Sequence, residues 1–161
     1  MTNRKMQADI KKQFKTLNIL YAAILVSISL AALFTVFFVF RSGHLPIFDA
    51  EHQALIKTVV IISLLVGIPV SHIFFYKKIK HINPDIQVVN KLRFYQTAFI
   101  VRVAMLEAIG LIALIGYLVT ADKSFLYMFA VVFILFMIHA PTKNKLCSDL
   151  NLSEQEEELL F

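Results

Sequence analysis

The sequence predicts an all-α fold: an integral membrane four-helix bundle with an amphipathic N-terminal helix and a short acidic C-terminal helix. Three observations predict it. Of 161 residues, 58% are hydrophobic, including 15 Phe, and only 17% are charged; a water-soluble domain this small exposes too much of its surface to hide so much apolar area. The apolar residues gather in four runs, each near the ~20 residues that cross ~30 Å of hydrocarbon. Lysines and arginines flank those runs unevenly.

The chain reads as a single membrane domain, residues 1–161. In residues 1–16, Met6, Ile10 and Phe14 recur at helical spacing, continued by Leu17, with lysines between them. This pattern predicts an amphipathic helix lying on the membrane surface. The first span is residues 19–40, uncharged and closed by Arg41. Ser29-Leu30-Ala31 loosely fits a leader cleavage site, but the apolar run continues to Phe40, which suits a span better. The second span is residues 58–76, between Lys57 and the Lys77-Lys78 pair, with Pro69 predicting a kink. In the loop that follows, Asn83-Pro84-Asp85 has the residue types of a helix start. Val88, Leu92, Tyr95 and Phe99 then form one apolar stripe leading into the third span, residues 97–121. The fourth span is residues 124–140, stopped by Pro141. Residues 141–161 form a hydrophilic segment in which Ser153-Glu154-Gln155-Glu156 fits a capping box. The acidic helix it opens is expected to pair with the basic N-terminal helix or with another protein, self-pairing being the cheaper assumption. In lipid each span must be helical, because every backbone polar group needs an internal partner.

Orientation follows from the cations. Twelve fall in the N-terminal segment, the loop between spans two and three, and the C-terminal segment, against Arg41, Lys57 and Lys123 on the other side. This places both termini in the cytoplasm, and short extracytoplasmic loops suit a bacterial inner membrane. The formal charge of +5 sits beside apolar runs. There it meets anionic lipid headgroups, so the bilayer and not nucleic acid is the expected partner.

Four polar groups stand out inside the spans: Glu107, Arg102, His72 and His139. Glu107 lies about ten residues into its span, roughly 15 Å along the axis and near the midplane. An ionisable group there costs about 3 kcal/mol on insertion scales, so it is expected to be paired or to carry protons or ions. Arg102, five residues earlier, is about 140° round the helix from it, so its partner should lie elsewhere. Arg102 is expected to snorkel toward the cytoplasmic interface, and Gly110 to let another helix approach. His72 and His139 lie at similar depth, but no cysteine or carboxylate clusters with them in sequence, and neither haem nor a metal is expected. The single cysteine, Cys147, excludes an internal disulfide, and the four glycines are too scattered for a phosphate loop.

The segment Thr97 to Gly110, with Glu107 after an apolar stretch and Asn83-Pro84 in the preceding loop, resembles the carboxylate helix of rotary ATP synthase c subunits. That resemblance implies an ion-binding role for Glu107. Span two lacks the glycine repeat of those subunits, and Arg102 has no counterpart in their pattern. The whole chain also resembles small uncharacterised four-helix membrane proteins of bacteria, in the Arg and Glu of its third span and its ending of Pro, basic residues, then an acidic helix. With no catalytic constellation, the expectation is a non-enzymatic small polytopic membrane protein. It would serve as accessory subunit of a complex, with a membrane-protein partner, or as a homo-oligomer by self-association. The alternative is proton- or ion-coupled transport using Glu107, with Arg102 and His72 along the inner access.

Overall fold

The computed structural model describes residues 3–42, 49–83, 86–153 and 156–157, with the backbone alone for 3–6. Five helices make up the described chain: α1 (Asn3–Ser42), α2 (Ala50–Lys80), α3 (Val88–Thr120), α4 (Ser124–Ile138) and α5 (Lys143–Leu150). Three of them, α1, α2 and α3, are long and apolar enough to cross a membrane. The 15-residue α4, about 22 Å at the α-helical rise, reaches that length only together with α5, from which it is bent by 78°.

The organisation is a hub. Helix α3 packs extensively against α1, α2 and α4, whereas α2 meets α4 at few positions and α1 and α2 form no extended interface. The buried side of α3 runs through Leu92, Phe99, Val103, Leu106 and Ala113. The outer faces of α1 and α2 are apolar and exposed, with Leu33, Phe34 and Leu65 each about two-thirds or more accessible. A helix that is apolar all round suits surroundings of hydrocarbon. Close approach to the hub depends on small residues. A Cβ at Gly116 would stand 2.5 Å from the Phe125 ring, and one at Gly110 would stand 2.8 Å from the Ile28 side chain. Gly110 therefore admits α1 and α4 to the interior, as its size predicts.

The N-terminal stretch differs from its expectation. Residues 3–16 are not a separate interfacial helix but the first turns of α1, which continues unbroken to Ser42. No Pro or Gly interrupts the stretch. Thr16 and Asn18 bond back to Lys12 O and Phe14 O, so they occupy the helix without competing with it. Ile10 and Leu17, on the expected stripe, are fully buried. Helix α2 runs through Pro69 as one helix, with Ser71 Oγ donating to Ile68 O at 2.8 Å beside the missing amide. Helix α3 starts at Val88, later than Pro84, with Gln87 at the N-cap position but no side-chain cap bond from it. Pro84 and Asp85 lie outside the described residues.

The turn between α3 and α4 is short and tied. Asp122 Oδ1 accepts from Ser124 N at 2.8 Å, and Asp122 Oδ2 and Ser124 Oγ both receive Lys57 Nζ from α2. The Ser124 amide first, and Lys57 next, hold the Asp122 carboxyl below its ordinary range. The capping box is present as predicted: Ser153 N donates to Glu156 Oε2, and Glu156 N to Ser153 Oγ. Its acidic residue does not seek the N-terminal helix, however. Glu156 Oε1 meets Lys91 Nζ of α3 at 2.7 Å, and Lys91 is almost fully buried. The tail pairs there because a buried ammonium without an acceptor is far costlier than an exposed one. Residues 158–161 of the expected acidic helix lie outside the described chain.

Two outcomes follow. Gly116→Ala should destabilise the protein by about 1–3 kcal/mol through overpacking against Phe125, read as a lower thermal midpoint in detergent. Burial works to raise the Glu156 carboxyl, but Lys91 and the Ser153 amide outweigh it and leave the group below its ordinary value. A lowered carboxyl stabilises the docked tail above the ordinary glutamate range, and that contribution is lost as pH falls through the folded value. The buried Cys147, which shares a cavity wall with Glu157, reports the docking. A thiol reagent active in acid should label Cys147 faster below about pH 4.3. In Glu156→Gln labelling should be fast already at neutral pH.

Candidate functional site

Three of the four polar groups singled out in the spans come together, and the fourth stands apart. Helix α2 presents His72, α3 presents Arg102, and the end of α4 presents His139. Arg102 Nη2 lies 2.9 Å from His72 Nδ1. A guanidinium only donates, so Nδ1 of His72 must be unprotonated and its proton sits on Nε2. The Arg102 guanidinium also lies over the Phe75 ring, 4.7 Å from its centroid, and Phe75 in turn meets Tyr95 edge-on at 5.7 Å. Arg102 is 5% exposed. The acceptor and the aromatic face hold the cation inside the protein.

His139 is set in the opposite tautomeric sense. Its Nδ1 approaches Leu135 O at 2.7 Å, and since a carbonyl only accepts, Nδ1 carries the proton. The His72 and His139 rings then face each other edge-on, 6.1 Å apart. One offers a donor at Nε2 and the other an acceptor. The His139 contact belongs to the end of α4. Backbone amides close the last turn, with His139 N on Leu135 O and Phe136 O and Ala140 N on Met137 O. Side chains add to them: the His139 ring on Leu135 O, Tyr21 Oη of α1 on Phe136 O at 2.9 Å, and Lys145 Nζ of α5 on Ile138 O. Helix α4 ends at Ile138, two residues short of the expected boundary, and α5 turns away from it by 78°.

Two cavities adjoin at Arg102 and His139. One, ≈ 320 Å³, is an apolar cleft between α2 and α4, walled by Ile68, Pro69, Ile73 and Leu135 and touched by His72. The other, ≈ 190 Å³, is more polar and lies toward α5, with Tyr76, Tyr95, Lys145 and Asp149 in its wall. Tyr95 Oη donates to Asp149 Oδ2 at 3.4 Å. Burial pushes the Asp149 carboxyl up, with Tyr95 and Arg102 acting in the opposite direction. Sequence reasoning missed Phe75, Tyr76, Lys145 and Asp149. Phe75 and Tyr76 lie one turn beyond His72, a spacing that offers a signal; nothing local marks Asp149.

Glu107 reaches neither cavity. It is partly exposed and forms no hydrogen bond or ion pair among the described residues. Beside it, Ala104, Ala108 and Leu111 are exposed on the outer side of α3. Arg102 and His72 meet in the apolar cleft, and Glu107 stands outside it. Among the described residues no three His, Cys, Asp or Glu side chains are grouped as a metal site would need. No protein-family model, curated protein or solved structure matches this chain.

His72 supplies the acceptor for a buried cation that has no ion pair among the described residues. Removing it while keeping the cation should destabilise the protein by about 1–3 kcal/mol in His72→Phe. Removing the cation instead, in Arg102→Met, should be neutral or stabilising in lipid-free detergent. Thermal midpoints of the two variants check this, and equal losses would contradict it.

Proposed function

We propose that the chain is a non-enzymatic, small polytopic membrane protein that works as an accessory subunit of a membrane complex or as a homo-oligomer. The observation that carries this is Glu107: an ionisable side chain near mid-span, partly exposed and unpaired among the described residues. Facing hydrocarbon, such a group costs about 3 kcal/mol. A second helix laid over the outer side of α3 removes that cost by supplying a polar partner, and the exposed Ala104 and Ala108 permit close approach.

In this reading α1 to α4 each cross the bilayer and form a four-helix membrane domain. Tyr21–Phe136, His72–His139 and Tyr95–Asp149 group the start of α1's apolar run, the ends of α2 and α4, and the start of α3 at one end of the molecule. That end carries most of the cations, so the positive-inside bias supports cytoplasmic termini and a bacterial inner membrane. The Arg and Glu of α3 and the ending after Pro141 support kinship with small four-helix membrane proteins of bacteria.

Gentle-detergent purification from native membranes, with mass measurement of the particle, tests the proposal. The wild type should elute with a stoichiometric partner or as a defined oligomer, and Glu107→Gln should weaken that assembly about tenfold, the effect of ~1.4 kcal/mol. A solitary wild-type monomer contradicts it. So does a stable, fully assembled Glu107→Gln variant that has lost pH-dependent flux in vesicles, the outcome that transport predicts.

A further inference from the structure

The surroundings of Arg102 are electrostatically incomplete. A guanidinium has five N–H donors. Among the described residues one of them meets a protein acceptor, the neutral His72, and Arg102 Nε is buried with no partner at all. Buried charges in proteins are ordinarily paired. The carboxylate nearest to that role, Asp149, faces the same polar cavity but forms no ion pair with Arg102; its Oδ2 takes the Tyr95 hydroxyl. Lys145, also in the wall, adds a second cation.

The cavity is also placed at a telling depth. Its wall includes Tyr76 and Ile138, at the inner ends of α2 and α4, so it lies at the level of the lipid headgroups in the membrane reading above. It adjoins, at Arg102 and His139, the apolar cleft past Ile68, Ile73 and Leu135. A polar compartment with excess cations joined to an apolar cleft between helices has the shape of one molecule: a charged head with a hydrocarbon tail. Basic pockets between transmembrane helices on the cytoplasmic side are a known mode of headgroup binding.

We infer that this pair of cavities binds one anionic phospholipid of the inner leaflet, with its phosphate held by Arg102 and Lys145 and an acyl chain in the cleft between α2 and α4. The phosphate supplies the charge-assisted acceptors that the guanidinium lacks. Asp149 opposes an anion in the same space, so it weakens the site and tunes it. The site lies away from Glu107, and it rests on the membrane reading but not on the assembly reading.

The test uses full-length protein in mild detergent, freed of lipid by exchange and titrated with short-chain phosphatidylglycerol, phosphatidylcholine or inorganic phosphate. Native mass spectrometry reads the lipid retained per chain. One phosphatidylglycerol should bind in preference to phosphatidylcholine. Arg102→Met and Lys145→Gln should each weaken binding about tenfold, the size of one lost charge-assisted bond, and Asp149→Asn should tighten it. Lys145 is exposed, so its variant keeps the test valid should Arg102→Met fail to fold. Equal retention of the two lipids overturns the inference, as does full retention by the Lys145→Gln variant. Inorganic phosphate binding as tightly as phosphatidylglycerol also overturns it, by showing a site for the free ion.

Discussion

Everything in this protein leans on α3. Half of its apolar stretch is buried within the chain, against 17% for α1 and for α2. The other long helices touch α3 and little else, so each fixes its position by the groove it finds there. Between helices in lipid there is little hydrophobic driving force, and close packing must do the work instead. That is why the glycines matter where they do: Gly110 receives Ile28 from α1, and Gly116 receives the Phe125 ring from α4.

The second constraint is the C-terminal end of α4. The amides of His139 and Ala140 close its last turn, and side chains from three directions add to them: Tyr21, His139 and Lys145. These contacts bring α1 and α5 to the same place as the His72–Arg102 pair. The polar cluster there is thus partly a product of how α4 ends. The bond from the His139 ring to Leu135 O holds it beside His72.

Much of the fold was legible in the sequence because it follows from composition and periodicity. The apolar runs correspond to α1 through α4, the capping box at Ser153 formed, and the angle between Arg102 and Glu107 correctly said that they would not pair. Partners across helices were not legible. That Arg102 would choose His72, and Glu156 would choose Lys91, depends on which faces of separate helices meet, and one sequence does not encode that locally. The burial of Arg102 was not legible for the same reason, since the Phe75 ring and the His72 acceptor come from a neighbouring helix. The N-terminal amphipathic stretch was read as a separate helix because its lysines mark an interface, yet with no helix breaker before Ile19 it simply continues into the span.

The central claim is that the outer side of α3 around Glu107 is covered by protein in the membrane. A photoreactive amino acid in place of Ala108, irradiated in native membranes, tests it most directly. The account predicts a discrete cross-linked protein adduct, either a dimer of this chain or one defined partner. Adducts to lipid alone would contradict it.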